Sequence, residues 1–209
     1  MSIEYRLMRA SDIHGVQTLE AAAFPGIPPD KYWKDDMLKA HVKHFPEGQF
    51  IAEIEGWIIG SATSLRVPLA RALVPHKWTE ITGGGYLTTH DAKGDALYLT
   101  EIMVHPDARR SGVGKRLYKM RQDLARRLNV RALVTGGRIP GYDKHAATMS
   151  AVDYVKTVLK GDRADRTLSS QLAAGFQVAG VMENYITDPK SRNHATLLVW
   201  WNLDWRSDK

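Results

Sequence analysis

Residues 96–128 constrain this chain most, because they read as a strand, a short glycine-bearing loop and a helix in immediate succession. Ala96-Leu97-Tyr98-Leu99-Thr100-Glu101-Ile102-Met103-Val104 is apolar, aromatic and β-branched, as a strand buried on both faces should be, and it holds one carboxylate, Glu101. Pro106 ends the strand because it offers no ladder donor. Arg109-Arg110-Ser111-Gly112-Val113-Gly114-Lys115 comes next, and Val113, Leu117, Met120, Leu124 and Leu128 then recur at helical spacing. An amphipathic helix is expected from Val113 to near Asn129.

Such a unit presents free backbone N–H groups at a helix N-terminus, glycines that let a ligand approach the main chain, and arginines beside them. That combination suits a phosphate. A plain strand-to-helix turn, in which Gly112 and Gly114 only ease the bend, is the simpler alternative. Neither common nucleotide loop fits, since Gly-x-x-x-x-Gly-Lys-Ser/Thr and the three-glycine dinucleotide fingerprint are both missing. Charge is divided in the same sense. Residues 109–138 carry ten Lys and Arg against the single acid Asp123, whereas residues 45–108 are rich in acids, among them Glu47, Glu53, Glu55, Glu80, Asp95 and Glu101. A polyanionic ligand at the basic segment and a cationic amine near the acidic one would match that split. The basic helix has no aromatic interleaving or known binding motif, so nucleic acid is not expected as a partner.

The remaining pattern predicts a mixed sheet. Residues 3–9 alternate as a first strand, and Ser11 or Asp12 can cap a helix reaching Ala23. Phe24-Pro25-Gly26-Ile27-Pro28-Pro29 is a stiff connector, after which Asp30 is positioned to cap a second helix carrying Tyr32, Trp33, Met37 and Leu38. Residues 49–54 and 57–65 form a hairpin about Glu55-Gly56. Residues 66–94 lack a clear period and read as a lid or insertion anchored by Trp78, Ile81 and Tyr86. Residues 131–135 form a short strand parallel to the central one, because a helix crosses between them. Gly136-Gly137-Arg138-Ile139-Pro140-Gly141-Tyr142 reads as a turn-rich loop, and the parallel pair leaves a cleft near its carboxyl ends, with Arg138 and Tyr142 beside it. Helices at 150–159 and 165–174 follow, the second stopped by Gly175. Strands at 176–181 and 195–203 close the sheet. Trp200, Trp201 and Trp205 suggest that the last strand is an edge covered by a partner or by the chain itself.

Arg109, Gly112 and Gly114 after Val104-His105-Pro106 closely resemble motif A of the GNAT superfamily of acyl-CoA-dependent N-acetyltransferases. The resemblance implies a single α/β (α+β) domain over 1–209, with a central twisted sheet of about six to seven strands flanked by helices and a V-shaped cleft between two parallel strands. It implies that Ile102, Met103 and Val104 pair with the pantetheine arm of acetyl-CoA. Arg109, Arg110, Ser111, Gly112, Val113, Gly114 and Lys115 would grip its pyrophosphate. Phe24, Trp33 and Tyr98 become substrate contacts. Residues 136–142, 149–155 and 168–176 are similar to a GNAT branch whose members are sometimes fused to a nitrilase-like hydrolase, and no such domain is found in these 209 residues.

Acetyl transfer to an amine needs a polarised thioester carbonyl, a deprotonated amine and a proton for the departing thiolate. N–H groups freed by a bulge at Ile102 to Val104 could polarise the carbonyl. Glu101, among Leu97, Leu99 and Met103, is the candidate base, although a structural pairing with an arginine would equally account for it. Many GNAT enzymes place a tyrosine four residues before a Gly-Phe pair. Here that position is Gln171, which can donate a hydrogen bond but no proton, so Tyr142 is the candidate acid, with Tyr185 or water as substitutes. The expectation is an N-acetyltransferase acting on a primary amine of a small molecule or protein. The alternative is a non-catalytic CoA-binding sensor or scaffold.

With no cysteine, the chain has no disulfide, thiolate metal site or cysteine nucleophile. Its eight histidines show no ligand spacing, so no metal is expected. No apolar run approaches the roughly 18 residues of a membrane span and the first residues show no signal-peptide pattern, which predicts a cytoplasmic protein with no membrane partner. A homodimer is compatible with the sequence.

Overall fold

The computed structural model describes residues 2–25 and 32–207. One seven-stranded sheet runs in the order β1-β2-β3-β4-β5-β7-β6, formed by β1 (Glu4–Leu7), β2 (Gln49–Ile54), β3 (Trp57–Val67), β4 (Ala96–Val104), β5 (Ala132–Arg138), β6 (Gln177–Met182) and β7 (Ala195–Trp201). Only β4 and β5 pair in parallel, and the helix between them, α5 (Val113–Arg127), makes the crossover that such a pair requires. The β2–β3 hairpin turns through Glu55 at φ 50° and Gly56 at φ 84°, the two left-handed residues of a type I′ turn.

Helices cover both faces. On one face α5 lays its stripe of Val113, Leu117 and Leu124, flanked by Met120 and Leu128, against Leu97, Leu99, Leu133 and Ala62; α6 (Ala151–Leu159) and α7 (Leu168–Ala173) extend that layer. Gly175, at φ 89°, ends α7: its N–H reaches the Leu172 carbonyl and the Phe176 N–H reaches that of Gln171. On the other face α1 (Ile13–Ala23) and α2 (Asp35–His44) bury Val16, Leu19, Leu38 and Trp33 over Ile51 and Met103, while α3 (Leu69–Ala72) and α4 (Trp78–Thr82) cover Leu65, Tyr98 and Val134.

Three readings of the sequence need correction. The second helix starts at Asp35 after Lys34, with Asp35 and Asp36 in its first turn, so Tyr32 and Trp33 precede it; Asp30 lies outside the described residues. β5 continues through Gly136, Gly137 and Arg138, which pair with Leu197, Thr196 and Ala195, so these glycines are in a strand and not a loop. β7 is no edge, because β5 flanks one side and β6 the other; Trp200 packs against the Arg126 guanidinium at 5.1 Å and Trp205 against that of Arg131 at 5.2 Å. In residues 66–94, β3 continues to Val67, and Leu69, Ala72, Ile81 and Leu87 are buried. Among the described residues no helix is long and apolar enough to cross a membrane.

Candidate active site

β4 and β5 are paired only from Ala96–Ala132 to Tyr98–Val134. The Thr135 hydroxyl donates to the Leu99 carbonyl at 2.9 Å, and beyond that bond the strands part. The gap opens into a cleft of about 880 Å³, large enough for a cofactor-sized ligand with a second reactant.

A β-bulge decides which face Glu101 serves. β3 pairs Thr63 with Glu101 but Ser64 with Leu99, so Thr100 is the extra residue, two positions before the predicted bulge at Ile102 to Val104. An inserted residue reverses the in–out parity of everything beyond it. Leu97 and Leu99 therefore share the α5 face with Ile102 and Val104, while Tyr98 and Met103 lie on the α1–α4 face. Glu101 follows Met103's parity and meets α1-side residues: the Trp33 indole N–H donates to its carboxylate. Ile102, Met103 and Val104 remain paired to β3, and His105 N–H bonds the Ile59 carbonyl at 2.8 Å. Two-residue alternation from that bond turns the Ile102 and Val104 N–H groups away from β3, toward the side β5 has vacated.

At the mouth of the cleft lies the glycine loop. Gly112, at φ 88°, is the N-cap of α5, and the first helical bond runs from Arg116 N–H to the Gly112 carbonyl at 3.0 Å, leaving the N–H groups of Val113, Gly114 and Lys115 without a helical acceptor. Gly114 has an ordinary helical φ, and a Cβ built there would meet only Val104 Cγ2 at 3.7 Å. Neither backbone strain nor packing within the chain requires glycine at that position. Arg109 bridges the loop to the end of α1, donating to the Ala23 carbonyl at 3.2 Å. Of the ten residues assigned to the cofactor, Ile102, Met103, Val104, Arg109, Gly114 and Lys115 line the cleft. Gly112 borders an adjoining hollow between α5 and α7, Arg110 and Ser111 are exposed, and the Val113 side chain is in the core.

Across the sheet two carboxylates face the cleft, Glu20 buried and Glu101 partly buried. Glu20 of α1 accepts the Trp33 backbone N–H at 2.8 Å, so Trp33 touches both Glu20 and Glu101. Burial pushes both acids above the usual carboxylate range, and Glu101 is raised further because Glu20 stands nearby; Trp33, Arg138 and Arg121 oppose part of that rise. Arg121 is 1% exposed and donates from Nη1 to the Glu101 carbonyl at 3.0 Å, while its Nε and Nη2 have no partner. Burial lowers it to about 10, so it stays charged at neutral pH. Arg138 lies over the Phe24 ring at 5.1 Å.

Phe24 and Trp33 line the cleft; Tyr98 and Tyr142 do not. Tyr98 is wholly buried, with its hydroxyl bonded to His76 and Tyr185. Tyr142 sits in the core, where its hydroxyl donates to the Met149 carbonyl at 3.2 Å, because β5 runs on and carries that loop past the cleft. Tyr185 does line it, as do Gln171, Tyr118, Arg121, Trp78 and Glu20. Glu20 carries a signal in the sequence that local patterning overlooks: it falls on the apolar stripe of Ile13, Val16 and Ala23, where a carboxylate must be buried.

A fork between two parallel strands, a glycine-capped helix at one end and buried carboxylates at the other define an acyl-CoA-dependent acyltransferase architecture, and the Acetyltransferase (GNAT) family description matches residues 13–140. The chain belongs to the GNAT family. It is 37% identical over 194 residues to the uncharacterized N-acetyltransferase YkwB of Bacillus subtilis, covering 92% of this chain and 86% of that protein. It is 44% identical over 201 residues to the probable hydrolase YhcX of the same organism; the match covers 96% of this chain and spans 39% of YhcX. The solved structure of the GNAT-like decarboxylase GphF in complex with isobutyryl-CoA superposes with a TM-score of 0.83 at 25% identity, covering 95% of this chain and 99% of that one.

Proposed function

We propose that the protein transfers an acetyl group from acetyl-CoA to a primary amine, by direct attack with both reactants in the cleft. The observation that carries this reading is the bulge at Thr100, which turns Glu101 to the face opposite the glycine loop and gives the fork a phosphate-binding end and a carboxylate end. Bound acetyl-CoA supplies an activated thioester. The Val113, Gly114 and Lys115 N–H groups hold its pyrophosphate, as helix N-termini hold anions, and the Ile102 and Val104 N–H groups hold its amide arm. Space left at Gly114 fits such a ligand. Glu101, with an elevated proton affinity, takes the first proton from the incoming ammonium, and the aromatic wall of Trp33, Phe24 and Trp78 excludes water from it.

Thermal melting with acetyl-CoA, using NADH and ATP as controls, followed by mass spectrometry of an amine panel, tests this. Selective stabilisation with an acetylated amine is expected; tight binding with no acetylated product would leave a CoA-binding sensor.

A second reading is favoured by the superposition with GphF, since several solved N-acetyltransferases reach only 0.55 to 0.60. In it, a β-carboxyacyl-CoA loses carbon dioxide and the resulting carbanion takes a proton from protonated Glu101. Release of carbon dioxide from malonyl-CoA without any amine would select it.

A further inference from the structure

The cleft contains a second proton-handling system besides the two carboxylates. His76, just before α4, places Nδ1 2.7 Å from the Val74 carbonyl oxygen and Nε2 2.7 Å from the Tyr98 hydroxyl. The Tyr98 and Tyr185 oxygens are 2.9 Å apart. Tyr185 lines the cleft with its hydroxyl packed against Gly136, where β5 leaves β4, and a Cβ on Gly136 would coincide with the tyrosine ring. Tyr98 and Tyr185 are 0% and 3% exposed, whereas His76 is partly open to solvent. The three groups form a continuous bonded path from the fork to the surface.

Its direction follows from the chemistry of the ends. A carbonyl oxygen can only accept, so His76 carries its hydrogen on Nδ1, and the neutral ring offers a lone pair at Nε2. Tyr98 must then donate to Nε2, and its oxygen accepts the Tyr185 hydroxyl. Both hydroxyl hydrogens therefore point outward, and the Tyr185 oxygen remains an acceptor.

An ammonium must lose two protons to become an amide, one before attack and one after the carbon–nitrogen bond forms. Glu101 accounts for the first. We propose that Tyr185 takes the second proton at the fork and that Tyr98 and His76 pass it to solvent. The inference rests on the acyl-transfer reading above. As the amine nitrogen bonds to the acyl carbon, the carbon–sulfur bond breaks and the thiolate leaves with the electron pair. The N–H proton moves to the Tyr185 oxygen, the Tyr185 hydrogen to Tyr98, and the Tyr98 hydrogen to His76 Nε2, which releases a proton to water. Burial raises both phenols well above their ordinary range, so the transfers must be concerted, with no tyrosinate formed. The groups facing the imidazole are Arg71 of α3, Glu80 of α4, Tyr98 and Tyr185; burial, the largest influence, holds it below its usual value, so it is neutral and receptive near pH 7.

The test compares wild type, Tyr98→Phe and His76→Gln with acetyl-CoA and an accepted amine, alongside nitrogen NMR of His76 in the ligand-free protein. His76→Gln, at a partly exposed site, covers the case in which the core variant fails to fold. Expected are a kcat lower by about 100-fold in both variants, an unchanged KM for acetyl-CoA, retention of the acid-side inflection that Glu101 sets, and an Nδ1–H tautomer in wild type. An Nε2–H tautomer, or variants with wild-type kcat, would overturn the relay while acyl transfer stands. Failure of wild type to acylate any amine would overturn the acyl-transfer reading and the relay with it.

Discussion

Gly112 and Gly114 lie two residues apart in one loop, yet alanine at each should move the protein in opposite directions. Gly112 sits at φ 88° with nothing within 4 Å of the point where a Cβ would stand, so backbone strain alone sets the cost of alanine there, about 1–2 kcal/mol for a left-handed residue. Gly114 is helical and its Cβ would touch only Val104, so alanine should stabilise the folded chain by about 0.4–1 kcal/mol through the unfolded state. For a chain of this size each kcal/mol corresponds to roughly 2–4 °C in Tm. Calorimetry should therefore show Gly112→Ala melting lower and Gly114→Ala melting slightly higher than wild type. Acetyl-CoA should drop Gly114→Ala below wild type. Saturation near a hundred times Kd adds roughly 2.7 kcal/mol to a competent protein. A methyl group at Gly114 holds the phosphate off the first-turn N–H groups and removes charge-assisted bonds of about 1.5–3 kcal/mol, or roughly 10–100-fold in affinity. A lower Tm for Gly114→Ala would mean that the fold itself needs this glycine. A full acetyl-CoA shift in that variant would mean that the loop does not hold the phosphate.

Other outcomes follow from buried charge. Folded Glu101 and Glu20 bind protons more tightly than in the unfolded chain, so their contribution is complete below the unfolded carboxylate pKa and is lost as pH rises through the folded values. Glu101→Gln should thus flatten the fall in Tm from acid to neutral pH; an unchanged slope would show that Glu101 is ionised throughout. The same variant should lower kcat more than the KM for acetyl-CoA, read by steady-state kinetics. Arg6 joins Asp12 at 2.7 Å and Glu53 at 2.6 Å, tying β1 to β2 and to the start of α1, so Arg6→Met should cost about 2–3 kcal/mol in denaturant unfolding. Asp204→Asn removes one exposed partner of Arg126 and should shift stability by less than about 1 kcal/mol in the same assay.

Local signals carried most of the fold. The stripe of α5, the Glu55-Gly56 turn and the buried character of β4 are each set by residues within a few positions of one another, and each is legible in the sequence. The features that shape the site depend on distant partners. Nothing within β4 marks Thr100 as the extra residue; its pairing with β3 does, and that one register shift decides the face of Glu101. Gly136 and Gly137 resemble turn residues because glycine is common in turns. They are glycines in a strand because the side chains of Tyr185 and Gln171 occupy the space their Cβ atoms would need. Tyr98 reads as a substrate contact only while the cover provided by residues 66–94 is left out. The stripe position of Glu20, invisible to a reading centred on β4, leaves Glu101 as a single base where the fold provides a pair.

The sheet is also two sheets sharing a short seam. Within the sheet, three parallel residue pairs join the block β1-β2-β3-β4 to the block β5-β7-β6, and the Thr135–Leu99 bond ends that pairing, with α5 spanning the join. The line along which this pairing ends is thus the line along which the proposed reactants lie. An extended ligand with amide groups in that gap behaves as a missing strand, so each binding event lengthens the seam and each release shortens it.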